Sequence, residues 1–253
     1  MCGRYLRRSD KQRIAEYFRV HGNLEGPSLT ADYNVAPSTH QPVIRLARLD
    51  PEQPEAVRGV VLMRWGLIPF HAKSLDSYKG VSTINARAET ITKGLWKRPF
   101  ERHRCLIPAD GFYEWKTTPG PTGKAKPKKQ PFAFSLRGNE PFAFAGLWYA
   151  WRDPATPDGP WLQSFSIVTT DANELMSTVH TRMLVILHPR DYARWLDRSS
   201  EHQPPIDLLR PFESQAMQAD ACNPLVGNPR NNGPEMLNSP DESGDAKLPL
   251  NSA

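Results

Sequence analysis

Proline constrains this chain more than any other residue type, because 25 of the 253 residues are prolines and they occur along most of the sequence. This is about twice the usual proportion of ~5%. Proline interrupts the interior of a helix and removes a hydrogen bond from a central strand. We therefore expect many short elements joined by ordered loops, which argues against a helical bundle.

The remaining composition is that of an ordinary globular domain. Hydrophobic residues make up 39% and charged residues 23% of the chain, and a chain of this length buries roughly 70–75% of its surface on folding. No apolar run approaches the ~20 residues that span a bilayer, and the first residues lack the apolar stretch of a secretory signal. We therefore expect a cytoplasmic protein that contacts no membrane. The net charge of +5 is compatible with nucleic-acid binding.

The three cysteines, Cys2, Cys105 and Cys222, are far apart and odd in number. Their spacing disfavours a disulfide framework and a zinc site, and it fits a reducing compartment. We expect Cys105 and Cys222 to be buried as small hydrophobic residues. No metal and no small-molecule cofactor is predicted.

Strand patterns outnumber helix patterns along the chain. Aromatic and β-branched residues predict strands at 43–49, 59–67, 105–115, 132–136, 142–151, 161–170 and 183–187. Short helices are predicted at 9–20 (with Ser9 as the N-cap), at 88–96, after Asp171 and at 190–196. Because helix-length spacers between strands are rare, we predict the α+β class: one mostly antiparallel, barrel-like domain with a few short helices. This domain covers residues 1–238, with a mobile hairpin tip at 119–129 and a disordered tail at 239–253.

Cys2 has the most distinctive chemistry. Removal of Met1 would leave an amine and a thiol on adjacent carbons, and the reference pKa of such an amine, ~7.7–8.0, leaves part of it neutral near pH 7. The thiolate can attack an acyl group with the amine as its base. Alternatively, the amine can condense with an aldehyde, after which the thiol closes a thiazolidine ring. A third interpretation is a cysteine that is second in the chain without any chemical role.

Two further residues are candidates for moving protons. Glu114 lies in Gly-Phe-Tyr-Glu-Trp, and a carboxylate buried among aromatic residues on a strand can act as a general acid. His180 lies between a predicted helix and a predicted strand and is a second acid–base candidate. Taken singly, a solvent-facing glutamate and a hydrogen-bonded structural histidine are the simpler interpretations.

Other residues are suited to contact nucleic acid. Asn85 and Arg87 alternate in Asn-Ala-Arg and would share one strand face, offering an amide and a guanidinium. Arg4 would share a face with Cys2 if the N-terminus is extended. Trp65 could stack on an unpaired base, although a core tryptophan on a strand is an equal alternative.

Seven strings then occur in one order along residues 1–237: MCGRY at 1–5, YNVAPS at 33–38, RWGLIP at 64–69, NARAET at 85–90, RCLIPADGFYEWK at 104–116, FAFAGLW at 142–148 and HTRM at 180–183. Together they resemble the SOS response-associated peptidase (SRAP) family, which shields abasic sites in single-stranded DNA. The resemblance implies that Cys2 becomes covalently linked to DNA, with Asn85, Glu114 and His180 as its active-site companions.

The same resemblance assigns supporting roles. It implies that Arg4 and Arg87 contact phosphate or sugar, and that Trp65 is the base-stacking or wedge residue. Asn34 and Pro37 would belong to the loop that packs beside the N-terminus. The implied partner is single-stranded DNA containing abasic sites, bound by a monomer during the DNA-damage response.

The peptidase activity in the family name would then refer to the autocatalytic or enzymatic removal of Met1. The resulting amine would form a Schiff base with the open sugar, and the thiol would close the thiazolidine. Lyase-like reversal of the adduct is a further expected property.

Two alternatives from other classes stay open. N-terminal-nucleophile glutamine amidohydrolases also begin Met-Cys-Gly, but they use an oxyanion-hole Asn-Gly pair, whereas the early candidate here is His21-Gly22-Asn23, in the reverse order. A non-covalent reader of modified or single-stranded DNA is the second alternative. Ammonia release from glutamine and a denaturing gel, respectively, would separate these two from covalent capture of DNA.

Overall fold

The computed structural model describes residues 2–21, 29–47, 56–78, 83–118, 127–199 and 203–240. The strands in these residues are β1 Tyr5–Arg7, β2 Asp32–Val35, β3 His40–Ala47, β4 Val57–Trp65, β5 Asn85–Arg87, β6 Arg104–Ala109, β7 Gly111–Thr118, β8 Lys128–Leu136, β9 Phe142–Trp151, β10 Leu162–Asp171, β11 Arg182–Leu184, β12 Ile186–Leu187 and β13 Met217–Ala221. The α-helices are α1 Lys11–Tyr17, α2 Gly94–Arg102, α3 Glu174–Ser177 and α4 Tyr192–Leu196.

Five strands close into a barrel. Following the hydrogen bonds, β10 pairs with β4, β4 with β3, β3 with β6, β6 with β9, and β9 with β10 again. Every pair in this ring is antiparallel except β4–β10. The predicted barrel-like, mostly antiparallel α+β architecture is therefore confirmed.

Strand β10 organises the barrel because both of its edges are occupied along its length. One edge pairs in parallel with β4 and then with β5, and the other pairs antiparallel with β9 and then with β11. Thr169 of β10 therefore lies between Arg87 of β5 and Leu184 of β11. Of the candidate active-site residues, Asn85 is the first residue of β5, and His180 lies two residues before β11.

The second sheet has the strand order β13-β8-β7-β1-β2. The predicted strand 105–115 is divided between the two sheets, because the chain bends at Asp110 between β6 and β7. At the bend a glycine is required: a Cβ on Gly111 would lie 2.7 Å from the carbonyl oxygen of Phe134 and 2.9 Å from the side chain of Leu6. The bend lets one chain segment join the barrel to the sheet that carries the N-terminus.

Two large apolar clusters fill the molecule. One is shared by the barrel and the second sheet and contains the rings of Tyr5, Trp65, Phe112 and Phe144. The other joins barrel residues to α1, α2 and α4. The three cysteines are free and buried, which confirms the predicted burial of Cys105 and Cys222.

Some predicted boundaries were wrong. Helix α1 begins at Lys11 with Asp10 as its N-cap, because the hydroxyl of Ser9 donates instead to the buried carboxylate of Asp110 at 2.8 Å. The predicted helix 88–96 is a 3-10 turn at Ala88–Thr90 followed by α2. Residues 119–126 of the predicted hairpin tip and 241–253 of the predicted tail lie outside the described residues. None of the described helices has the length and apolar character needed to cross a membrane.

Candidate active site around Cys2

The N-terminal segment runs antiparallel beside β7. Tyr5 pairs with Phe112 and Leu6 with Gly111, and the amide of Tyr113 donates to the carbonyl of Arg4 at 3.0 Å. Continuing this register toward the N-terminus brings Cys2 alongside the middle of β7, where Glu114 lies. The pairing of β1 with β7 therefore delivers Cys2 to the one carboxylate predicted for the site.

The thiol of Cys2 is fully buried and lies close enough to the carboxylate of Glu114 to interact with it electrostatically. Burial raises the pKa of this thiol well above its usual range, and the nearby Glu114 charge raises it further. The thiol is therefore protonated at neutral pH. Glu114 is itself buried, and within the described residues its Oε1 has no hydrogen-bond partner.

His180 is joined to Cys2 through the backbone of Arg182. The Cys2 Sγ lies 3.7 Å from the carbonyl oxygen of Arg182, and the amide of Arg182 donates to Nδ1 of His180 at 3.0 Å. The carbonyl oxygen of Arg182 also lies 3.2 Å from Nδ1. The structure thus brings Cys2, Glu114 and His180 together.

Asn85 enters from the other side of β10. Asn85 begins β5, pairs with Ile167 of β10 and is largely buried. Its Nδ2 lies 3.5 Å from the carbonyl of Ile167, and its Oδ1 is buried without a hydrogen-bond partner among the described residues. A buried amide oxygen without a partner is costly, so this atom is a candidate for contact with a bound group.

Sequence reasoning missed an ion-pair cluster built on Arg182. Its guanidinium contacts both carboxylate oxygens of Glu89 and lies 2.8 Å from the carboxylate of Asp171. Glu89 raises the pKa of Arg182, and Arg182 lowers the pKa of Glu89. The cluster ties the segment after β5 to β11 across the end of β10. Glu89 lies within NARAET and Arg182 within HTRM, which was the available signal.

Arg4 and Asn34 form a partly buried polar connection to the C-terminal part of the chain. Arg4 Nη1 donates to Asn34 Oδ1 and to the carbonyl of Val226, both at 2.7 Å. Asn34 Nδ2 lies within 3.2 Å of the carbonyls of Val226, Asn228 and Asn231. These bonds hold Arg4, two residues after Cys2, in place. A contact of Arg4 with DNA stays a prediction.

The other predicted contacts differ in exposure. Arg87 is exposed, and Pro37 is partly exposed in the turn after β2. Contact of Arg87 with phosphate or sugar, and packing of Pro37 beside the N-terminus, stay predictions. The base-stacking role predicted for Trp65 is wrong for this conformation. Trp65 is fully buried, its Nε1 donates to the carbonyl of Ile84 at 2.9 Å, and its ring stacks on Phe165.

The sequence model of the SOS response associated peptidase (SRAP) family matches residues 1–229. The chain belongs to the SRAP family. Among its relatives, the abasic site processing protein YoqW of Bacillus subtilis is 37% identical over 94% of this chain and all of its own length. The abasic site processing protein HMCES of Rattus norvegicus is 31% identical over 94% of this chain and 75% of its own.

Solved structures share the SRAP fold found here. A crystal structure of a protein from Bacteroides thetaiotaomicron superposes with a TM-score of 0.75 at 25% identity, covering 94% of this chain and all of the other. A crystal structure of a protein from Bordetella bronchiseptica gives a TM-score of 0.69 at 27% identity, covering 88% and 100% of the two chains.

Proposed function

We propose that this protein captures abasic sites in single-stranded DNA through a covalent bond to Cys2, once Met1 has been removed. The observation that carries this proposal is the buried Cys2 thiol, which lies beside Glu114 and is linked through Arg182 to His180. Membership of a family whose relatives are named abasic site processing proteins supports the substrate class. We place its site of action on damaged DNA, with one copy of the chain bound.

The proposed chemistry follows from the adjacent amine and thiol. The amine of Cys2 attacks the aldehyde carbon C1′ of the open sugar, and loss of water leaves an imine. The thiol sulfur then adds to the imine carbon, and the thiol proton moves to the nitrogen. The product is a thiazolidine, and one water molecule is released overall.

The neighbouring residues have separate tasks in this scheme. Because the thiol is protonated at neutral pH, sulfur addition needs a base, and Glu114 is positioned to accept the proton and return it to nitrogen. The imidazole of His180 would move protons during opening of the sugar ring and the departure of water. The unpartnered Oδ1 of Asn85 would hold the amine or a sugar hydroxyl. Arg87 would pair with a phosphate.

The test uses intact mass and denaturing gels with a single-stranded abasic oligonucleotide. The processed protein is expected to form an adduct that survives denaturation. Cys2→Ala keeps the amine but lacks the thiol, so its adduct should appear only after borohydride reduction of the imine. Cys2→Ser has a poorer nucleophile and should form less of the ring.

The matched control is protein with residues added before Cys2, which keeps the thiol but converts the amine into a peptide amide. It should form no adduct that survives denaturation. A stable adduct from this control would contradict the thiazolidine. Binding without any adduct would instead favour a non-covalent reader, and ammonia release from glutamine would favour an amidohydrolase.

A further inference from the structure

A recess of about 410 Å³ lies away from Cys2, beside the connection between β9 and β10. Its rim carries two of the most exposed large apolar side chains among the described residues, Phe70 and Trp161, each 58% exposed. Trp151, Tyr149 and Trp148 of β9 also line it. We call this recess the aromatic cleft. Among the described residues that line it, none is acidic.

Each exposed ring of the aromatic cleft is paired with an arginine. The guanidinium of Arg152 lies 4.4 Å from the ring centroid of Trp161, and that of Arg98 lies 5.6 Å from the ring of Phe70. Arg152 is held in this position because its Nη1 donates to the carbonyl of Pro157 at 2.6 Å. Planar faces beside fixed cations are the combination that binds a nucleobase by stacking and its phosphate by charge.

The surroundings add further positive charge. Arg45 lies 4.9 Å from the ring of Trp148. Burial lowers the pKa of His103, which also lines the cleft, to about 4, and Arg98, Arg198 and Arg45 contribute to this effect. A site with this charge excess favours an anionic occupant over a neutral or basic peptide.

We infer that the aromatic cleft binds an unpaired nucleotide of the same DNA strand whose abasic site is captured at Cys2. This inference rests on the proposed function and adds a second contact to it. On β10, Leu162 pairs with Trp151 beside the cleft and Asp171 pairs with Arg182 beside Cys2. Leu162 and Asp171 are nine positions apart along β10, which is ~30 Å at about 3.3 Å per residue.

That separation sets the length of DNA that can reach both sites. At the stacked spacing of ~3.4 Å per nucleotide it corresponds to roughly nine nucleotides, and to fewer in a stretched strand. A strand with only three nucleotides beyond the abasic site is too short to reach the cleft. A strand with 12 nucleotides on the correct side is long enough.

The experiment measures non-covalent affinity by fluorescence anisotropy. The oligonucleotides carry a tetrahydrofuran abasic analogue, which has no aldehyde, with arms of about 3 or about 12 nucleotides on either the 5′ or the 3′ side. Trp161→Ala should weaken binding about tenfold for oligonucleotides whose long arm lies on the side that reaches the cleft. The affinity for oligonucleotides with only short arms should not change. Trp161→Phe keeps a stacking face and should retain most of the affinity. Ile206→Ala removes a side chain of similar exposure elsewhere and should have no effect.

The outcomes separate the two proposals. Crosslinking of the short strand with a true abasic site tests the proposed function without involving the cleft. If that crosslink forms but Trp161→Ala binds every oligonucleotide with the same affinity as the parent protein, the cleft assignment is overturned and the proposed function stands. If the parent neither binds nor crosslinks any strand, the proposed function fails and this inference fails with it. A parent dimer that Trp161→Ala converts to monomer would instead make the cleft a self-association face.

Discussion

At the scale of single residues, Arg104 has an unusual environment because its buried guanidinium binds backbone carbonyls. It donates to Trp195 at 2.7 Å and also to Phe100, Glu101 and Asp197, at the C-terminal ends of α2 and α4. Burial lowers the pKa of Arg104 to about 10, so it stays cationic at neutral pH. Its five donors satisfy carbonyls that helix ends leave without partners.

Arg104→Met is therefore expected to lower the free energy of unfolding by about 2–4 kcal/mol, because several buried carbonyls lose their donors. Urea denaturation measures this change. Arg102→Met is the matched control: Arg102 is exposed at the end of α2, two residues before Arg104, and the change should be within ~0.5 kcal/mol. Equal effects of the two substitutions would show that the carbonyl contacts of Arg104 contribute nothing measurable.

At the scale of elements, the bend between β6 and β7 anchors the N-terminal strand. The buried carboxylate of Asp110 accepts from the amides of Arg8 at 2.6 Å and Ser9 at 2.9 Å, and from the hydroxyl of Ser9. The amide of Asp110 donates to the carbonyl of Leu6. One residue thus holds the end of β1, and β1 in turn positions Cys2 beside Glu114.

Asp110→Ala is expected to speed hydrogen exchange at the amides of β1 more than at those of the barrel. The free energy of unfolding should also fall by about 2–4 kcal/mol, because three donors on Arg8 and Ser9 lose their carboxylate acceptor. Exchange followed by NMR or mass spectrometry provides the measurement. Asp158→Ala, at an exposed position, is the control. Unchanged protection of β1 in Asp110→Ala would mean that strand pairing alone holds the N-terminus.

At the scale of the whole molecule, barrel closure depends on a missing side chain in β9. Gly146 pairs with Cys105 of β6 and with Ile167 of β10. A Cβ at this position would lie 1.9 Å from Cδ1 of Ile107 and 2.8 Å from the sulfur of Cys105. Contacts this short require the neighbouring side chains or strands to move apart.

Gly146→Ala is therefore expected to destabilise the fold by about 1–3 kcal/mol, measured by thermal or urea unfolding. Adding Ile107→Val removes the clashing Cδ1, so the double variant should lose less stability than the two single changes summed. Gly59→Ala, also in a barrel strand, places its Cβ an ordinary 3.6 Å from Ala47 and should cost little. Additive effects at Gly146 and Ile107 would contradict the steric explanation.

Local sequence patterns predicted the elements whose burial is uniform. The boundaries of β9 agree at both ends with the predicted strand 142–151, because a barrel strand with two neighbours is a continuous apolar run that local pattern records directly. The α+β class followed from the frequency of such runs. Cys2, Glu114 and His180 could be named as candidates from residue type and motif, since their chemistry is a property of the side chains themselves.

Only the tertiary structure decided which distant residues meet. The pattern over 105–115 could not reveal a change of sheet at Asp110, because both halves are equally apolar and the bend depends on Leu6 and Ser9, about 100 residues away. Trp65 has the residue type of a base-stacking platform, but packing against Phe165 buries it. The contact of Arg182 with Glu89 joins residues 93 positions apart. Charge and apolar character are encoded locally, whereas burial and pairing depend on the closure of the whole barrel.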